Sequence, residues 1–123
     1  ILKPVQEVFG FLNDLNNHEK LMPENITDWS STVDEARFSI KGITTLALKV
    51  SERVVNEEII CIPSENAPFE LRLIWKTDVV SPGETKVSFV VEAELNMMMK
   101  MMASAPLQRL VDHQVAKLKE ILE

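Results

Sequence analysis

Five of the six methionines in this 123-residue chain lie within six positions, in the stretch NMMMKMMASAPLQRL (residues 96–110). On a helix, Met98, Met101 and Met102 share one face because they are three or four positions apart. Thioethers in this arrangement suit a gap-filling core, the adaptable wall of an apolar pocket, or a Cu(I) site. No His or Cys lies beside the cluster in sequence. The pattern therefore favours core or pocket wall over copper, with the side chains facing inward.

The remaining residues that could bind metal or attack a substrate are few. His18 and His113 are the only histidines, and their separation differs from the close helical spacing of metal-binding motifs. We predict that His18, in a polar stretch, faces solvent and that His113 lies at the boundary of the final helix. Cys61, the single cysteine, sits in the apolar run IICI and is expected to behave as a small buried hydrophobe. The sequence thus predicts no metal site and no cofactor.

Two polar residues could project into a pocket. Glu52 continues the apolar face of TTLALKVSERV, so that either the strand has left the core at this point or a carboxylate lies inside it. Gln114 lies near the apolar stripe of the final helix. Glu92 is predicted to face solvent. The chain has no Tyr, and no catalytic constellation is visible, so a non-enzymatic role is favoured.

Composition narrows the range of partners. The net charge is −6, the pI is about 5.0, and basic residues do not cluster, which argues against nucleic-acid binding. The apolar runs are far shorter than the roughly 20 residues needed to span a membrane. We therefore expect one cytoplasmic domain without stable membrane insertion.

The periodicity changes twice along the chain. The stretch KPVQEVFGFLNDL has helical spacing after Pro4, and residues 16–22 form a second short helix or turn. Five or six amphipathic antiparallel strands follow, with SPGET as a hairpin turn. A final helix then carries one apolar stripe from Leu107 to Leu122. Grouped strands with separate helices indicate an α+β fold, in which only the last helix is long enough to cover the sheet.

Several segments resemble one known superfamily. The segments KPVQEVFGFLNDLNNHEKLMP, ITDW, FSIKG, APFELRL and NMMMKMMASAPLQRL are similar to small bacterial members of the SRPBCC superfamily, also called START-like or birch-pollen-allergen-like. This resemblance implies a helix-grip fold: a curved antiparallel sheet around a long C-terminal helix, with two short helices near the N-terminus. It also implies a first strand before Pro4, of which Ile1–Lys3 remain, and further residues upstream. The chain departs from the family at Asn96-Met97, where Asn-Pro is usual.

The resemblance implies a hydrophobic small molecule or lipid bound between the sheet and the final helix. The alternatives that it leaves open are a polyketide cyclase- or dehydratase-like enzyme and a co-chaperone-like interaction module. The residues predicted to line the site are Phe38, Leu48, Glu52, Phe69, Leu71, Trp75, Phe89, Met98, Met101, Met102 and Gln114.

Overall fold

The computed structural model describes residues 1–42, 44–64, 70–94 and 96–123, with positions 99, 102, 103 and 106 described by backbone alone. In this part of the chain, three helices occur: α1 (Val5–Leu12), a 3₁₀ helix (Leu15–Leu21) and α2 (Met97–Leu122). The six strands are β1 (Ile26–Ser31), β2 (Glu35–Ile40), β3 (Thr44–Val54), β4 (Glu58–Pro63), β5 (Glu70–Ser81) and β6 (Glu84–Glu94).

The six strands form one antiparallel open sheet in chain order, from β1 at one edge to β6 at the other. Each strand pairs with the next along the chain, as expected where short connections join half-buried strands. The predicted SPGET turn is confirmed, because Ser81 pairs with Glu84 across a two-residue loop. The α+β prediction is confirmed at this level, and the arrangement is consistent with a helix grip.

The two N-terminal helices form where local signals favour them. Pro4 precedes the first turn of α1, and Val8, Phe9 and Leu12 fall on its buried face. The 3₁₀ helix follows directly, and the Asp14 carboxylate caps it by accepting a hydrogen bond from the Asn16 N–H at 2.9 Å. The two short helices predicted from the sequence are therefore present.

The inner face of the sheet, which faces the helices, follows the period-two alternation. On β5 and β6 the cross-strand pairs Leu73–Val91 and Trp75–Phe89 lie on this face. Strand β4, which its sequence could not orient, directs Cys61 to the same face. One core cluster joins this face to both short helices and to α2 through Val8, Phe9, Leu12, Leu15, Leu21, Ala36, Ile59, Cys61, Trp75, Phe89 and Leu118. A second cluster consists of Phe38, Ile40, Leu46, Leu48 and Leu71.

A β-bulge in β3 decides where Glu52 points. Val50 pairs with Cys61, but Glu52 pairs with Ile60, the neighbour of Cys61 on the opposite face, because the register shifts between them. The bulge adds one residue to β3 and so reverses its alternation. Glu52 is exposed on the outer face, and its placement on the inner face was wrong.

The two halves of α2 differ in burial. Its C-terminal half packs Leu110 and Leu118 into the core, as the apolar stripe predicts. In its N-terminal half, Met98 is 71% exposed and Met101 is 87% exposed, so the prediction that they face inward was wrong. Met102 is a predicted site residue whose side chain lies outside the described residues. No helix of the described chain combines the length and hydropathy that crossing a bilayer requires.

The first residues lie along the edge of β6. The Ile1 N–H group donates to the Thr85 carbonyl, and the Thr85 N–H donates to the Ile1 carbonyl, each at 2.8 Å. The Thr85 hydroxyl also donates to the Lys3 carbonyl at 2.8 Å. This reciprocal pair has the pattern of an antiparallel ladder.

Candidate ligand-binding site

An enclosed cavity of about 40 Å³ lies between the inner face of the sheet, the 3₁₀ helix and α2. It is lined by Leu15, His18, Met22, Trp29, Ala36, Phe38, Leu48, Cys61, Leu73, Trp75, Phe89, Leu110 and Gln114. None of these described lining residues carries a full charge at neutral pH unless His18 is protonated. The cavity is therefore an apolar space in which two nitrogen-bearing side chains, His18 and Gln114, supply the strongest hydrogen-bonding groups.

His18 reaches the cavity because the 3₁₀ helix repeats every three residues. Leu15, His18 and Leu21 are spaced by three and fall on one buried face. The Nε2–H of His18 donates to the Leu12 carbonyl at 2.7 Å, which satisfies a carbonyl at the C-terminal end of α1. Since a carbonyl only accepts, this bond assigns the ring proton to Nε2 and leaves Nδ1 as an acceptor.

Burial determines the ionisation of His18, which is 6% exposed. Removal from water lowers the pKa of the imidazole, and the Leu12 hydrogen bond and the nearby Asp14 charge oppose this shift only in part. The ring is therefore neutral at pH 7. The prediction that His18 faces solvent was wrong, whereas His113 is exposed on α2.

Aromatic side chains make up much of the cavity wall. Trp75 and Phe89 stack with ring centroids 4.0 Å apart and planes 8° apart. The edge-to-face contact of His18 with Trp75 has a centroid distance of 6.1 Å. Trp29 stacks on Phe38 at 5.3 Å. These rings, held by neighbouring strands, give the cavity a rigid apolar surface.

A hydrogen-bonded chain holds the cavity wall against the 3₁₀ helix. The Trp29 indole N–H donates to the Ser31 hydroxyl at 2.9 Å, and that hydroxyl donates to the Asn16 amide oxygen at 2.7 Å. The Asn17 side-chain amide donates to the Phe11 carbonyl at 3.0 Å. The position of His18 is therefore fixed from both sides.

Gln114 is the second polar group of the cavity. It interrupts the apolar stripe of α2 between Leu110 and Leu118 and is 2% exposed. None of the side-chain hydrogen bonds found among the described residues involves its amide. The amide carries a donor and an acceptor at the wall of the cavity.

Cys61 lines the same cavity and is a protonated thiol. Burial raises the pKa of this thiol to about 11, although the Arg53 charge acts in the opposite direction. The thiolate form is therefore scarce at neutral pH, and the residue lacks the activation of a nucleophile. The prediction of a small buried hydrophobe is confirmed.

A larger, open groove of about 440 Å³ lies between β6 and α2. Its lining residues on β6 are Phe89, Val90, Val91 and Ala93, and those on α2 are Lys100, Ser104, Leu107, Gln108 and Val111. Phe89 lines both the groove and the enclosed cavity. The volume of this groove falls in the range of about 300–1,000 Å³ that is usual for small-molecule sites.

The structure brings together about half of the residues predicted from the sequence. Those that line the enclosed cavity are Phe38, Leu48, Trp75, Phe89 and Gln114. Leu71 is buried in the second core cluster, whereas Glu52, Met98 and Met101 are exposed. Phe69 lies outside the described residues, as does the side chain of Met102.

His18 is the polar cavity residue that the sequence interpretation missed. The other lining residues absent from the predicted set are Leu15, Met22, Trp29, Ala36, Cys61, Leu73 and Leu110. The available signal was the three-residue spacing of Leu15, His18 and Leu21, which indicates a 3₁₀ helix with His18 on its apolar face. The neighbouring asparagines and charged residues obscured it. In the residues that the structure describes, no group of three or more His, Cys, Asp or Glu side chains could hold a metal ion.

Comparisons with known proteins identify the fold and leave the activity open. No family model matches the chain, and no curated protein matches it. The chain is similar to the crystal structure of protein CV1439 from Chromobacterium violaceum, with a TM-score of 0.62 and 16% identity over 96% of this chain and 91% of that one. It is also similar to DR_A0006 from Deinococcus radiodurans, with a TM-score of 0.56 and 14% identity over 93% and 90% of the two chains. At such identities the likeness concerns the fold alone.

Proposed function

We propose that this protein binds a hydrophobic small molecule or lipid between the sheet and α2. The observation that carries the proposal is the groove of about 440 Å³, which shares Phe89 with the enclosed cavity. The resemblance to START-like proteins supports the same location. Together the two spaces would hold a ligand with a chain in the groove and one end in the cavity.

The groove provides enough apolar contact for modest affinity. Val91, Leu107 and Val111 flank it from the two elements, and each is half-buried in the free protein. Burying a methylene group contributes about 0.8 kcal/mol, so a chain of eight methylenes gains about 6 kcal/mol before ordering costs. We therefore expect dissociation constants in the micromolar range or weaker.

Nile red, an uncharged dye whose emission rises in apolar surroundings, tests the proposal. We expect saturable binding at one site per chain and competition by medium-chain lipids that native mass spectrometry detects on the protein. Ala93→Trp fills the groove from β6 and should weaken binding at least tenfold. Ala47→Trp is the matched control because Ala47 is also half-buried but lies on the opposite face of the sheet. Equal binding by both variants, or none by the unmodified protein, would refute the proposal.

A second candidate function is a protein-interaction module, which the exposure of Met97, Met98 and Met101 favours. Flexible methionine surfaces can repack against different partners. A photoreactive methionine analogue incorporated in cells distinguishes the two functions. Ligand binding predicts crosslinks within the chain or to a small molecule, whereas an interaction module predicts crosslinks from positions 98 and 101 to one defined protein.

The polyketide cyclase-like alternative ranks below both. Acid–base catalysis requires a group whose pKa lies near the working pH. The imidazole of His18 has one nitrogen bonded to the Leu12 carbonyl and a pKa lowered by burial. A binding role for the polar pair His18 and Gln114 is the simpler use of these groups.

A further inference from the structure

Two residues that line the enclosed cavity, His18 and Gln114, carry nitrogen-bearing hydrogen-bonding groups. Because Nε2–H of His18 is committed to the Leu12 carbonyl, Nδ1 remains as an acceptor. Gln114, 2% exposed, also lines the cavity, and its amide has both a donor and an acceptor. A group that can both donate and accept would complement this pair.

The size of the cavity restricts what can occupy it. Its volume is about 40 Å³, whereas a cavity of roughly 10–15 Å³ on a comparable measure already holds one water molecule. A single hydroxyl-bearing carbon fits such a space, but an alkyl chain or ring system does not. A ligand with its head here would have its remaining part in the groove, which shares the lining residue Phe89 with the cavity.

Charge excludes an ionised head group from the same position. None of the described residues that line the cavity is Lys or Arg, and burial keeps the neighbouring imidazole neutral by lowering its pKa. A carboxylate placed here would lose its hydration without gaining a counter-charge, which is strongly unfavourable.

We infer that the cavity selects ligands with an uncharged hydroxyl head, which donates to Nδ1 of His18 and accepts from the Gln114 amide. The chain of such an alcohol lies in the groove between β6 and α2. This inference rests on the proposed function and adds to it the class of ligand: long-chain alcohols in preference to fatty acids.

Displacement of Nile red by three ten-carbon compounds tests the head group. Decan-1-ol can donate and accept, 1-methoxydecane can only accept, and decanoate is charged. We expect decan-1-ol to bind about tenfold more tightly than 1-methoxydecane, which corresponds to the net contribution of a hydrogen bond. Decanoate should bind more weakly still at pH 7.5.

The variant Gln114→Met keeps the length of the side chain but removes the amide. We expect the preference for the alcohol over the ether to fall to about threefold or less. Gln6→Met is the matched control, since Gln6 is exposed on α1 and should leave the preference unchanged. Thermal unfolding of each variant verifies that it is folded.

The outcomes separate the two proposals. If none of the compounds and no dye binds the unmodified protein, the proposed function fails. The head-group assignment fails if the dye binds but the alcohol and the ether compete equally, or if decanoate competes best. His18 and Gln114 would then bind only an enclosed water molecule. The comparison within the unmodified protein decides the point even if Gln114→Met does not fold.

Discussion

The two halves of α2 have similar spacing of apolar residues but opposite surroundings. In the C-terminal half, Leu110, Gln114 and Leu118 are buried against the sheet and the short helices. In the N-terminal half, Met98 and Met101 are mostly exposed. Both segments place apolar side chains three or four positions apart. The difference shows that helical spacing selects a face, whereas burial requires another surface opposite that face.

Among the described residues, the C-terminal half of α2 packs directly against the core. Leu118 belongs to the cluster that includes Leu12 and Leu15 of the N-terminal elements. Beside the first half lies the open groove, with Lys100 and Ser104 at its margin. The buried leucines of the C-terminal half therefore stabilise the fold, whereas Met98 and Met101 contribute little to the core.

Leu118→Ala should have the largest effect. This side chain is 0% exposed, and its truncation leaves a cavity that costs about 3 kcal/mol. Met101→Ala should change the free energy of unfolding by less than about 0.5 kcal/mol, as for other surface substitutions. Urea denaturation of both variants measures the difference. Comparable losses would mean that the two halves are equally packed.

Acidification should destabilise the folded protein, because it protonates a histidine that is buried in the core region. Since burial lowers the pKa of His18 from its usual 6.5, the unfolded chain binds a proton that the folded protein does not. The contribution of neutral His18 to the free energy of unfolding is fully present above pH 6.5. Below pH 6.5 the free energy of unfolding falls by up to about 1.4 kcal/mol per pH unit.

Denaturation curves between pH 5 and 7.5 measure this dependence. His18→Phe should flatten the profile from pH 5 to 6.5, whereas His113→Gln should preserve it because His113 is exposed. A flat profile in the unmodified protein would contradict the burial of His18.

Gln114→Met should stabilise the ligand-free protein by about 1 kcal/mol. The substitution replaces a buried amide at the wall of the cavity with an apolar side chain of similar length. Gln108→Met, on the same helix but exposed, should have little effect. A loss of stability in Gln114→Met would show that the amide is satisfied within the free protein. Thermal unfolding of the apo variants measures the change.

Peroxide oxidation should distinguish the exposed methionines from the half-buried one. It should have the smallest effect on stability of the changes considered. We expect Met98 and Met101 to form sulfoxides several-fold faster than Met22, which is half-buried at the cavity. The free energy of unfolding should change by less than about 0.5 kcal/mol while only the exposed sites are modified. Peptide mass spectrometry follows each site. Slow oxidation of Met101 would show that its side chain is shielded from solvent.

Local patterns in the sequence predicted most of the fold. The apolar alternation in FELRLIWK and KVSFVVEAEL correctly predicted that Trp75 and Phe89 share the inner face, because strand periodicity is a local property. The stripe on α2 correctly predicted the burial of Leu110 and Leu118. The same reasoning failed at Glu52, since a bulge depends on how β3 pairs with β4 and has no local signature here.

The candidate site was less predictable than the fold. Five of the predicted lining residues line one cavity. His18 also lines it, although the surrounding segment has a polar composition. Its position depends on a hydrogen bond to Leu12 across the junction of two helices. The sequence alone contains the spacing that makes this possible, but it does not specify the partner.

By itself, the sequence determined the order of elements, the faces of most strands and the acidic character of the surface, because these follow from periodicity and composition. Tertiary structure decided the reversed face of Glu52, the burial of His18 and the exposure of Met98 and Met101. The physical reason is that burial, pKa and strand register depend on which surfaces are in contact. These tertiary contacts join residues that are far apart in the chain.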